Sequence, residues 1–89
     1  MNERLFTLIH MINFIIYEED KHYIDLYVSL IHKFMAVNND SYKIYKYSKY
    51  SSKIVSEIKN LVGYNIYIFD IEVHGKSGLD LAKEISDGV

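Results

Sequence analysis

The chain has 89 residues, 49% hydrophobic and 25% charged, a balance that excludes a disordered polar segment and allows one globular domain at most. Its formal charge of −2 supplies no overall attraction to nucleic acid or anionic lipid, and no apolar run approaches the roughly 18 residues that span a bilayer. The absence of cysteine excludes disulfides and thiolate metal sites and fits a cytoplasmic protein.

Residues 1–10 hold a short, broken apolar stretch with Glu3 near its start, unlike a secretory signal. The run Ile12-Asn13-Phe14-Ile15-Ile16-Tyr17 is β-branched and aromatic and stops at Glu18-Glu19-Asp20, which predicts a buried strand with an acidic C-terminal edge. Tyr23, Tyr27, Leu30, Ile31 and Phe34 then recur at helical spacing, with Ile24 and Val28 widening the stripe, so a helix is expected over 21–36 with Asp20 as its cap. After the turn Asn38-Asn39-Asp40, Tyr42, Ile44 and Tyr47 suggest a second strand. Ile54, Val55, Ile58 and Leu61 suggest a short helix stopping near Gly63.

Asn65-Ile66-Tyr67-Ile68-Phe69 reads as a third strand ending at Asp70, apolar enough to lie in a sheet covered on both faces. Ser77-Gly78-Leu79-Asp80 has the spacing of a helix N-terminal capping box, and the helix behind it is expected to turn Leu79, Ala82 and Ile85 inward. The order β-α-β-α-β-α favours a parallel α/β sheet with right-handed crossovers.

In such sheets functional groups gather beyond the carboxyl ends of the strands, and both apolar strands end there in acids. Glu18, Glu19 and Asp70 are therefore expected to converge. Clustered carboxylates repel unless a hard cation neutralises them, and Mg²⁺, which takes oxygen ligands and keeps several waters, suits the task. A carboxylate nucleophile beside a bound cation is the chemistry of phosphoryl transfer.

The block Tyr67-Ile68-Phe69-Asp70-Ile71-Glu72-Val73-His74-Gly75-Lys76-Ser77-Gly78-Leu79-Asp80-Leu81-Ala82-Lys83-Glu84-Ile85 resembles the phosphoacceptor block of response-regulator receiver domains. Upstream, Ile15-Ile16-Tyr17-Glu18-Glu19-Asp20-Lys21 resembles their first-strand acidic block, in the form found in regulators with LytTR-type DNA-binding domains. The resemblance covers residues 12–86 and implies a CheY-like, flavodoxin-like α/β fold. Residues 1–11 are then an N-terminal extension and 12–89 a partial receiver with a three-stranded sheet of order 2-1-3.

What the resemblance implies at the site is specific. Asp70 would be the phosphoacceptor for a sensor histidine kinase, and the magnesium ligands would come from Glu18, Glu19, Asp70 and the backbone carbonyl of Glu72. The chain would act in phosphorelay signalling within a transcriptional regulator and would not be an enzyme, bind DNA directly or enter a membrane.

Several departures accompany this match. Glu19 stands where aspartate is usual and His74 where proline is frequent. The family's sheet continues to a fourth and fifth strand. The hydroxyl residue and lysine that follow those strands have no counterpart here, nor does an effector domain, so the chain is expected to be cut short. A third strand left without its neighbour would invite self-association into a homo-oligomer. An alternative reading is a degenerate fragment that binds a kinase or a copy of itself without being phosphorylated.

Plainer readings apply elsewhere. Glu18, Glu19 and Asp20 could form a solvated turn. His10, His22, His32 and His74 lack zinc-ligand spacing and read as surface residues. The Tyr/Lys alternation of residues 42–50 could serve single-stranded nucleic acid but reads first as an edge strand whose lysines discourage aggregation.

Overall fold

The structure, a computed structural model, describes residues 10–87. Strands β1 (Ile12–Tyr17), β2 (Tyr42–Tyr47) and β3 (Tyr64–Phe69) form one sheet in the order β2-β1-β3. Helices α1 (Lys21–Met35), α2 (Ile54–Lys59) and α3 (Gly78–Asp87) alternate with them. This is the expected α/β architecture, with the strand order of the first part of a flavodoxin-like sheet. Both pairings are parallel and unstaggered: Ile12 lies between Tyr42 and Tyr64, and Tyr17 between Tyr47 and Phe69. All three strands therefore finish at one level.

β1 is apolar at nearly every position because it is covered on both faces. Ile15 and Tyr17 pack with Ile54 and Ile58 of α2, Leu81 of α3 and Val73. The alternate residues Phe14 and Ile16 pack on Ile24, Ile31 and Met35 of α1. The polar exception is Asn13, fully buried, whose amide donates to the Val62 carbonyl and to Asn65 Oδ1, both at 3.0 Å. That fork ties the central strand to the chain entering β3.

α1 begins where Asp20 accepts the His22 amide at 2.9 Å, the cap expected of it. Gly63 has φ +113°, and a side chain there would strike the Met11 carbonyl oxygen at 2.1 Å. The same carbonyl accepts the Tyr64 amide at 2.8 Å, so glycine is what lets the chain come close enough to start β3.

Two expected helix faces are corrected. In α3, Leu79 and Ala82 are exposed, whereas Gly78 and Leu81 are buried and Ile85 is half-buried. The Gly78 amide bonds the Asp70 carbonyl at 2.9 Å and sets the helix phase, and Leu81, three residues on, shares that face. In α1, Ile24, Ile31 and Met35 are buried, but Tyr23, Leu30 and Phe34 are exposed. The apolar stripe is wider than a three-stranded sheet can cover, and its outer part overhangs the β3 side.

Residues 1–9 of the expected N-terminal extension lie outside the described residues. Among the described residues no helix is long and apolar enough to cross a membrane.

Candidate functional site

The level strand ends bring Glu18 and Asp70 together. Glu18 follows β1 and bonds through its amide to the Tyr47 carbonyl at 3.0 Å, and Asp70 follows β3 and bonds to the Tyr17 carbonyl at 2.9 Å. Their carboxyls line a cleft of about 430 Å³ together with Tyr23, Tyr27 and Glu72.

The two acids sit in different surroundings. Glu18 is 4% exposed, and no donor among the described residues reaches its Oε2. Its neighbour is the Asp70 carboxyl, and two carboxyl groups in contact share either a proton or a cation. Burial first, and then the hydrogen bond and charge of Asp70, push Glu18 up to about 7. Asp70 is held below its ordinary range by the hydrogen bond with Glu18 and by the Glu72 amide, which donates to Asp70 Oδ1 at 3.0 Å. The pair therefore favours holding one proton below about pH 7 and two carboxylates above it.

The loop after β3 is fastened at several points. The Tyr17 hydroxyl, at the buried end of β1, donates to the Lys76 carbonyl at 2.7 Å, and Val73 is buried against the α2/α3 side. Lys76 pairs with Glu84 of α3 and lies 4.4 Å from the centre of the Tyr50 ring. Ser77 Oγ accepts the Asp80 amide at 3.2 Å, as the capping box requires. Glycine at 78 is obligatory, since a side chain would meet the Asp70 carbonyl oxygen at 2.3 Å.

Of the acids expected to converge, Glu18 and Asp70 do so and Glu19 does not. Its carboxylate holds His74, with Nδ1 at 2.8 Å from Oε1 and the His74 amide at 3.3 Å from Oε2. Glu19 and His74 are therefore partners. Sequence reasoning also passed over Asn13 and Tyr17; an asparagine inside an apolar strand is the signal that could have found the first.

A hard cation suits part of this arrangement. The buried Glu18 Oε2 without a donor and the adjacent Asp70 carboxylate are oxygen donors at one cleft that Glu72 also lines, and Mg²⁺ is commonly bound through one or two carboxylates plus waters. No three acidic or histidine side chains among the described residues converge as a metal cage, because Glu19 is turned to His74. In comparisons with known proteins, no family model, curated protein or solved structure matches the chain.

Proposed function

We propose that the chain is a phosphoacceptor of the receiver type, working in the cytoplasm, in which Asp70 takes a phosphoryl group from the phosphohistidine of a sensor kinase. The observation that carries this reading is geometric: the half-exposed Asp70 carboxyl lines the cleft beside the buried Glu18 carboxyl, whose Oε2 no donor among the described residues reaches. An Asp70 oxygen forms the new P–O bond as the P–N bond of the donor breaks, and the imidazole nitrogen keeps the electron pair. Glu18, once deprotonated, Asp70 and the Glu72 carbonyl would hold Mg²⁺, which would neutralise charge on the phosphoryl oxygens. The fastened loop from Ile71 to Ser77 keeps the acceptor in place, and a residue so held retains the alignment that transfer requires.

The test is an amide-resolved NMR titration of the full chain with Mg²⁺, then with Mg²⁺ and beryllofluoride, which mimics an acyl phosphate. Shifts confined to residues 18–20 and 70–77, absent in Asp70→Asn, are expected. A folded spectrum that ignores both additions defeats the reading.

A second reading, kinase binding without phosphorylation, is favoured by Glu19, which is engaged with His74 instead of facing the cleft. Kinase binding that survives Asp70→Asn, in a chain that beryllofluoride leaves unperturbed, selects it.

A further inference from the structure

The two edges of the sheet are chemically unlike. β2 exposes Lys43 and Lys46 along its outer side, a common guard against edge pairing. β3, Tyr64-Asn65-Ile66-Tyr67-Ile68-Phe69, carries no charge and no proline.

The direction of its backbone groups follows from the ladder. Tyr64 and Asp70 both donate their amides toward β1, to the Met11 and Tyr17 carbonyls. With a two-residue period, Asn65, Tyr67 and Phe69 turn their N–H and C=O groups away from β1, to the side on which no further strand pairs among the described residues.

The side chains beside this edge are apolar on both faces of the sheet. On one face the Tyr67 and Phe69 rings stand edge to face with centres 5.3 Å apart. On the other, Ile68 and the α1 residues Tyr27, Leu30 and Phe34 line an apolar groove of about 200 Å³. Ile66 is 44% exposed and Phe34 64%, although both are apolar.

We infer that β3 pairs with β3 of a second copy of this chain, antiparallel about a two-fold axis through Tyr67, to give a continuous six-stranded sheet. In that register Tyr67 faces Tyr67 of the second copy and Asn65 faces Phe69. Each outward N–H and C=O then finds a partner in the hydrogen-bonded pairs of an antiparallel ladder. The exposed parts of the α1 stripes meet along the same seam.

A second copy suits this edge better than a charged partner does. The edge is neutral, so it meets its own image without repulsion, whereas the lysines of β2 would face like charge. An isologous contact of this kind closes on itself and does not propagate into a fibre. Six half-exposed side chains, Tyr23, Leu30, Phe34, Tyr64, Ile66 and Tyr67, offer roughly 100 Å² each. Together with the strand backbone this approaches the roughly 800 Å² per partner of a standard stable interface. The proposal goes beyond the phosphoryl reading and does not depend on it.

Sedimentation velocity of the full chain, from micromolar to submillimolar concentration, combined with amide hydrogen exchange, tests the seam. A dimer is expected in which the Asn65, Tyr67 and Phe69 amides are protected. Tyr67→Lys, which sets like charges opposite each other, should leave a monomer with those amides exchanging freely. Phe34→Glu, at an exposed helix position, should weaken the dimer by about tenfold, and Lys43→Glu on the far edge should leave it intact. A folded monomer at every concentration overturns the proposal. So does a dimer indifferent to both Tyr67→Lys and Phe34→Glu, or one whose three outward amides exchange freely. Because none of these variants touches Glu18 or Asp70, loss of the dimer and loss of beryllofluoride binding are separate results.

Discussion

Glu18 closes the central strand with a carboxyl that is 4% exposed and pushed up to about 7 from an ordinary value of 4.5, chiefly by burial. The folded chain therefore favours its protonated form. That contribution to stability is complete below the unfolded value and is lost as pH rises through about 7. Asp70 is shifted the other way, so what it contributes is lost only as pH falls into the acidic range, outside this window. Denaturant unfolding should show stability falling between about pH 4.5 and 7, by about 3 kcal/mol at most. Glu18→Gln, which keeps the shape without the titration, should flatten that slope, and a wild-type profile already flat would mean the carboxyl is not held protonated. At this scale the sequence points to Glu18 and Asp70 because each ends an apolar strand. It does not reveal that Glu19 turns to His74, since no spacing rule joins residues 55 positions apart.

At the scale of elements, α3 docks through its first residue. The Gly78 amide bonds the Asp70 carbonyl, and a side chain at 78 would lie 2.3 Å from that oxygen and 2.8 Å from its carbon. The obstacle is the Asp70 backbone itself and cannot swing aside. Gly78→Ala should cost about 1–3 kcal/mol and shift the amide resonances of Asp70 and Glu72, whereas Ala82→Gly, at an exposed position of the same helix, should leave both resonances in place. Unchanged resonances in Gly78→Ala would show that the helix does not set the position of Asp70. This contact also explains which helix faces were legible. The existence, order and extent of the elements follow from periodicity and caps such as Asp20, because these are local properties of the chain. The inward face of α3 depends on a docking contact, and that of α1 on how far the sheet extends, so Leu79, Leu30 and Phe34 look like core and are exposed.

For the molecule as a whole, both hydrophobic cores hang on one strand. Ile15 belongs to the α2/α3 side and Ile16 to the α1 side, both fully buried, and β1 is the only strand paired with each of the others among the described residues. A chain of this size buries a limited fraction of its surface, so neither core has a reserve of its own. Loss of packing on one face should therefore unfold the other face with it. Ile15→Ala and Ile16→Ala should each destabilise by about 2–5 kcal/mol. In both variants, denaturation followed separately at Leu81 and at Ile31 should give coincident transitions. If Ile16→Ala released α1 while the Leu81 side kept its native signal, the two faces would be independent folding units, and the cleft of Glu18 and Asp70, which spans the ends of β1 and β3, would not require α1 to form.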